Sequence, residues 1–398
     1  SLTEKLLERP ERLAEIRNAV RGAGTTVMVV MNTTDLERTL SVRLGLPLFG
    51  NPPELDHLGS KSGSRELFRA AGIDLPDGSE NLHSMADVVE ALADLKGRNP
   101  DLAKAAVKLE QGFSGEGNAT ISLEPVDATS TSGRVDQIRK MISRELHFVA
   151  VDETFEGFAT KFAEMGGVVE EFIDGENKTS PSAQGRVDPS GKVSPLSTHD
   201  QVLGGYGGQV FEGSTFPASP DYRLPIQEPA VEVGRELARR GALGRYAVDY
   251  VAVSSPDGSL RFPAIEINLR RGGTTHPMLT LELLTSGTYD WATGRFYSLS
   301  GREKTYYSTD NKKSNEFRGL SADDLIHLMV LHRLHYDPAT ETGAVFHMMG
   351  ALSRYGKFGV TCIGNSLPEA LEVNRRVDAV LELATGGRDR SAAWPAPH

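Results

Sequence analysis

Tyr246-Ala-Val-Asp-Tyr-Val-Ala-Val-Ser-Ser-Pro-Asp-Gly-Ser-Leu-Arg-Phe-Pro-Ala-Ile-Glu-Ile-Asn-Leu-Arg-Arg-Gly-Gly-Thr-Thr-His276 places three hard oxygen donors on one expected hairpin. Val248 to Val253 and Phe262 to Asn268 run apolar like strands, and Ser254-Ser-Pro-Asp-Gly258 between them is turn chemistry. Glu266 and Asn268 are two residues apart on one strand, so they share a face, and a paired register brings Asp249 beside them. Two carboxylates and an amide oxygen, with no cysteine and no His pair nearby, suit Mg²⁺ held with a nucleotide phosphate rather than zinc. Acidic residues on a hairpin also occur as a plain solvated face, so a second motif is needed to decide.

That motif is Ala105-Ala-Val-Lys-Leu-Glu-Gln-Gly-Phe-Ser-Gly-Glu-Gly-Asn118. A short apolar segment delivers Lys108, and a loop with Gly112, Ser114, Gly115 and Gly117 follows. Glycines let a backbone offer its N–H groups to phosphates, and the lysine adds a point charge. The lysine precedes the glycines and no Gly-Lys-Ser/Thr follows, so this is not a Walker loop.

The order Lys61, Lys108 with its glycine loop, Val169-Glu-Glu-Phe-Ile-Asp-Gly-Glu176, Asp249 and Glu266-Ile-Asn-Leu-Arg270 resembles the ATP-grasp superfamily of carboxylate–amine ligases. Lys61 ahead of Ala71-Gly-Ile-Asp-Leu-Pro76 matches a superfamily pattern. More closely, Leu58-Gly-Ser-Lys-Ser-Gly-Ser-Arg65, Thr198-His-Asp-Gln-Val-Leu-Gly204 and Glu266-Ile-Asn-Leu-Arg-Arg-Gly-Gly-Thr-Thr-His-Pro277 resemble the peptide-ligase family of pheganomycin biosynthesis. The likeness continues to Tyr355-Gly-Lys-Phe-Gly-Val-Thr-Cys-Ile-Gly364, and the family carries a longer segment ahead of the ATP-grasp part than stands here.

The resemblance implies an ATP-dependent, Mg²⁺-requiring ligase of antibiotic biosynthesis. It would join a nonproteinogenic guanidino amino acid, through an acyl phosphate, to the amino group of a peptide or amino acid. It also implies an ATP site of Lys61, Lys108, the glycine loop, Glu170, the backbones of Glu171 and Ile173 at the adenine edge, and Glu176 at the ribose. Asp249, Glu266 and Asn268 are then the metal ligands, with Lys108 and Arg270 catalytic. Arg270 is preferred to Arg271 because the superfamily places an arginine two residues after the asparagine. His199, Asp200 and Gln201 are expected along the acceptor pocket. The backbone of Gly273, Thr274 and Thr275 and the side chain of His276 are expected to bind the acid substrate.

The expected fold class is α/β with α+β lobes. A partial pre-ATP-grasp α/β segment spans 1–58, an ATP-grasp domain 59–300 and an appended α/β module 301–398. The phosphate-covering lobe falls at about 106–174 and the metal and substrate lobe at about 175–300. Expected helices are Glu4 to Val20 interrupted at Pro10, Leu36 to Leu44, Ser64 to Ala71, Met85 to Leu95, Val135 to Leu146, Phe155 to Met165, Glu228 to Arg240, Thr280 to Thr285, Ser321 to Leu334 and Pro368 to Ala384. Expected strands include Thr26 to Met31, Val168 to Ile173, Ala183 to Val187, Gln209 to Phe211 and Phe358 to Ile363.

The chain has 398 residues, too many for one ordinary core. Its 43 Lys and Arg against 54 Asp and Glu give a formal net charge of −11, with no basic patch to suggest a nucleic-acid partner. No apolar run suits a bilayer, so no membrane partner is expected. The single Cys362 excludes an intrachain disulfide, fits a cytoplasmic enzyme and reads as a buried strand thiol. His327, His332, His335 and His347 read as structural, and the His332/His335 pair lacks a third zinc ligand. A homodimer is the default oligomer. Three function classes stay open on the residues: a peptide-forming ligase, another ATP-grasp carboxylate ligase or kinase with a small-molecule substrate, and a non-catalytic nucleotide-binding module. The presence of both lysines and all three metal ligands weighs against the last.

Overall fold

Ser60 and Gly72 bound the helix on which the candidate site is built. In the computed structural model, which describes residues 1–112, 117–175, 178–204, 210–254 and 258–386, the Ser60 hydroxyl accepts from the Gly63 N–H and starts the helix Lys61–Ala71. Gly72 ends it in the left-handed conformation. The helix therefore begins three residues before the expected Ser64, and Lys61 sits in its first turn. Gly63 is required there, because a Cβ would lie 2.0 Å from the His57 carbonyl oxygen.

The chain forms two units: Ser1–Leu196 with Leu203–Phe211 and Pro220–Gly272, and Ser197–Val202 with Glu212–Ser219 and Gly273–His398. In the first, Pro10 opens a second helix, Pro10–Val20, rather than kinking one long one. With Leu2–Leu7 and Asp35–Leu44 it packs around Leu13, Leu40 and Leu44. The expected strand Thr26 to Met31 shrinks to Met28–Val29, paired parallel to Leu48–Phe49. Val27, Val29 and Met31 are exposed, so this apolar run lacks a covering layer.

Next comes a five-stranded antiparallel sheet in the order Gly78–Leu82, Gly167–Glu171, Lys104–Leu109, Asn118–Ser122 and His147–Phe148. Helices Met85–Arg98, Thr131–Glu145 and Phe155–Met165 cover it around Val88, Leu92, Ile121, Phe158 and Phe162. This is the α+β arrangement of strands and covering helices expected around the glycine loop. A second group of strands sets Gly244–Tyr250 between Pro181–Val187 and Ala264–Asn268, all antiparallel. Helix Arg223–Arg239 packs on it, and the buried Tyr246 hydroxyl donates to the Ala230 carbonyl at 2.8 Å.

The second unit is centred on Glu303–Lys313, which pairs antiparallel with Lys357–Gly364, itself paired with Gly343–His347. Helices Ala322–Leu331 and Leu367–Thr385 close one core around Leu325, Met329, Phe358 and Val377. Cys362 is buried on its strand, and burial pushes its thiol up to about 12. Strands Val193–Gly204 and Glu303–Lys313 had no counterpart in the sequence reading. No helix among the described residues is long and apolar enough to cross a membrane.

Candidate active site

Four side chains in the first turns of helix Lys61–Ala71 reach three different places in the first unit: strand Ala264–Asn268, Glu110, and the Glu170–Glu80 cluster. Lys61 Nζ lies 2.7 Å from Glu266 Oε1. Ser62 donates its N–H to Glu110 Oε2 at 3.0 Å and its hydroxyl to Glu110 Oε1, tying the helix start to the residue before the glycine loop. The Ser64 hydroxyl accepts the Ile267 N–H at 2.9 Å on strand Ala264–Asn268. Arg65, 2% exposed, donates to Glu170 Oε1 at 2.8 Å, Glu80 Oε2 at 3.0 Å and the Pro76 carbonyl at 3.0 Å.

Glu170 is equally buried, and its other oxygen takes Lys108 Nζ at 2.6 Å. Burial alone would raise this carboxyl, but the charges of Lys108 and Arg65 outweigh it and hold the group below the ordinary carboxylate range. Its carboxylate thus fixes the lysine head instead of facing a ligand. The Glu171 N–H donates to the Asp77 carbonyl at 2.8 Å, and the Ile173 carbonyl accepts Lys178 Nζ at 2.7 Å. Of the backbone groups expected at an adenine edge, these two are engaged in this way. The Phe172 ring lies between Lys104 and Lys178, whose ammonium groups stand 4.2 and 4.4 Å from its centroid. Lys178 was missed from sequence, since it stands outside every motif. Gly112 and Gly117 close the mouth of the glycine loop, a Cβ on Gly112 reaching the Gly117 nitrogen at 3.1 Å. Ser114, Gly115 and Glu176 lie outside the described residues.

The expected register is the one found. Asp249 stands directly opposite Glu266 and Ala247 opposite Asn268, so Asp249, Glu266 and Asn268 share a face. Asn268 Nδ2 donates to Asp249 Oδ2 at 2.9 Å, so the atom of Asn268 that a cation would take is its amide oxygen. This donor set fits Mg²⁺. The strand stops at Asn268, and the alternation expected to send only one arginine inward stops with it. Arg270 and Arg271 both line one small cleft with Arg245, Asn32 and Asn51.

The remaining substrate candidates fall in the second unit. His199 is fully buried, with Nε2 2.6 Å from the Tyr306 hydroxyl and its ring against Phe216 and Tyr306. This corrects its expected place on an acceptor pocket: Ser197, Thr198 and His199 are all buried, so the side chains of this stretch are packed inside. Asp200 accepts the Ser219 N–H at 2.9 Å, and Gln201 is partly exposed beside it. Thr274 and Thr275 are buried at the start of helix Thr275–Thr285, with Gly273 in the turn before it. His276 meets Asp310, which sequence reasoning missed, and His347, which it had read as structural.

Burial pushes the His199 imidazole down to about 3. Its folded pKa lies below the unfolded 6.5, so the unfolded chain binds the proton first and stability falls as pH drops from 6.5 towards 3. The slope from this group approaches about 1.4 kcal/mol per pH unit. His199→Gln is expected to flatten it in denaturant titrations run between pH 6.5 and 4; an unaltered slope would show that the ring does not titrate as its burial dictates.

Fold and site together define an ATP-grasp enzyme. Residues 53–141 and 140–292 match the family described as IQCH-like, ATP-grasp, and residues 324–377 match the PGM1 C-terminal domain. Over 391 residues the chain is 32% identical to the L-propargylglycine–L-glutamate ligase of Streptantibioticus cattleyicolor, covering 95% of this chain and 75% of that one. The chain belongs to the ATP-grasp carboxylate–amine ligases, on the branch of the pheganomycin-type peptide ligases. Its fold is also that of the biotin carboxylase–beta-gamma-ATP complex from Campylobacter jejuni, with TM-score 0.55 and 12% identity over 90% of this chain and 76% of that one. An N5-carboxyaminoimidazole ribonucleotide synthetase with ADP gives TM-score 0.53 and 13% identity over 93% and 84%.

Proposed function

We propose that this ligase activates the carboxylate of a nonproteinogenic amino acid with ATP as an acyl phosphate and transfers the acyl group to the amine of an amino acid or peptide. The observation that carries this reading is the convergence on helix Lys61–Ala71 of two lysine–carboxylate pairs and the Asp249, Glu266, Asn268 face. Asp249, Glu266 and Asn268 would hold Mg²⁺, which when bound neutralises phosphate charge.

Lys108, set by Glu170, presents a fixed cation to the phosphates, and Lys61 supplies a second. The glycine loop shields them from water, Glu171 and Ile173 border the base, and Glu176 takes the ribose. A carboxylate oxygen of the acid attacks the γ-phosphorus and ADP leaves. The amine nitrogen then attacks the acyl carbon, a proton is lost, and phosphate departs with that carboxylate oxygen. Arg270 stabilises the oxyanion and the leaving phosphate. Asp200 and Gln201 border the amine, while the backbone of Gly273, Thr274 and Thr275 holds the acid.

The relative's pair, propargylglycine and glutamate, supports two amino-acid substrates. A guanidino acid is the first to test, and the net charge of −11 is compatible with a cationic substrate. The three-part division at 58/59 and 300/301, a homodimer and a cytoplasmic location belong to the same proposal. The test is ADP release from Mg²⁺-ATP across a panel of amino and guanidino acids, with and without amines, followed by product mass. ADP that requires both substrates and a product equal to acid plus amine minus water is expected. A stable phosphorylated acid formed without amine would instead make the enzyme a kinase.

Lys108→Ala is expected to weaken Mg²⁺-ATP binding by about 10- to 100-fold, the loss of one charge-assisted contact, as calorimetry would read. Unchanged affinity would remove Lys108 from the site.

A further inference from the structure

His276, Asp310 and His347 come from three separate elements of the second unit. His276 lies in the first turn of helix Thr275–Thr285, Asp310 on strand Glu303–Lys313 and His347 at the end of strand Gly343–His347. Asp310 Oδ1 lies 2.6 Å from His347 Nε2 and 3.2 Å from His276 Nε2, and the two nitrogens are 2.9 Å apart. Among the described residues, no other three His, Cys, Asp or Glu side chains bring ligand atoms together in this way.

Two backbone features aim these side chains. The pairing of Glu303–Lys313 with Lys357–Gly364 shifts between Thr309 and Lys312, so Asp310 stands in a bulge, held by the Asn311 N–H on Thr309 Oγ1 at 3.0 Å. Bulges re-aim side chains in this manner. Gly359 stands opposite His347, and a Cβ there would lie 2.0 Å from His347 Nε2. The glycine leaves the room the ring uses to cross the sheet.

Hydrogen bonding does not satisfy all three atoms. A neutral imidazole carries one ring proton. If His347 donates to Asp310, either the His276 lone pair faces the carboxylate or a second N–H faces the first at short range. A cation at the centre satisfies all three at once. Two imidazoles and one carboxylate are ligands of the zinc class, with three protein donors and a side left open. All three side chains are partly exposed, so that side has access. Tetrahedral zinc sets ligand atoms about 3.3 Å apart, so entry widens the triangle by less than about 1 Å.

We propose that His276, Asp310 and His347 form a binding site for a divalent cation of the zinc class, distinct in residues and chemistry from the Mg²⁺ face of Asp249, Glu266 and Asn268. The site stands independently of the ligase reading.

The test is titration of the whole chain with Co²⁺, read by its visible absorption, with Zn²⁺ in competition. One equivalent is expected to bind with a Kd of about 10 µM or tighter and to be displaced by Zn²⁺. Asp310→Asn and Gly359→Ala, the latter displacing the His347 ring without removing a ligand, are each expected to weaken binding at least about 100-fold, while Glu266→Gln leaves it unchanged. Binding unaltered by both substitutions, or none at 1 mM Co²⁺, overturns the proposal. Should either variant fail to fold, the wild-type crystal soaked in Zn²⁺ decides: an anomalous peak between the three residues supports the site, and its absence refutes it.

Discussion

Glu266→Gln lowers kcat by at least about 10²–10³-fold while leaving the melting temperature nearly unchanged. The substitution keeps the shape of the side chain and its place opposite Asp249, and removes only its charge. That charge does two things: it is one of two carboxylates on the face proposed for Mg²⁺, and it holds Lys61 Nζ at 2.7 Å. With an amide in its place, the cation loses a ligand charge and Lys61 loses the partner that sets its direction. The Glu266 side chain is 29% exposed, so the fold does not depend on it as a buried ion would. Steady-state ADP release with both substrates, alongside thermal unfolding of the same protein, makes the comparison. Full turnover in the variant would place the metal elsewhere.

Arg65→Met should cost about 3–5 kcal/mol of stability. Methionine retains the apolar stem, but the change leaves Glu170, 1% exposed, with Lys108 as its one remaining ion-pair partner among the described residues. Glu80 then depends on the exposed Arg69. Because Glu170 titrates below its ordinary 4.5 in the folded chain, the stability it contributes is complete above that pH. It is lost as pH falls through the folded value. Urea unfolding at pH 7 measures the cost, and a loss under about 1 kcal/mol would mean the buried cluster is not coupled as its geometry indicates.

Local chemistry made much of the first unit legible. Ser84 caps helix Met85–Arg98 as its sequence position suggests, and the Asp249–Glu266 pairing follows from two-residue periodicity. The early start of helix Lys61–Ala71 was not legible, because Lys-Ser-Gly reads as loop until the Ser60 cap and Glu110 are counted. Strand Glu303–Lys313 stayed hidden for a related reason. Its Lys304, Thr305, Ser308 and Thr309 are polar yet buried, and tertiary partners take up the hydrogen bonds of Lys304, Ser308 and Thr309. Lys304 Nζ, for instance, donates to Asn365 Oδ1 at 2.7 Å and to two backbone carbonyls. His347 was set aside because a lone histidine in sequence shows neither Asp310 nor the space left by Gly359.

The reaction course itself can be read from oxygen. With both carboxylate oxygens of the acid substrate labelled as ¹⁸O, the enzyme is run to completion with Mg²⁺-ATP and the amine, and the released nucleotide and phosphate are analysed by mass. The account predicts ADP without label and inorganic phosphate carrying one ¹⁸O, because the attacking carboxylate oxygen leaves on phosphorus. Label in AMP, or phosphate free of label despite amide formation, would contradict it.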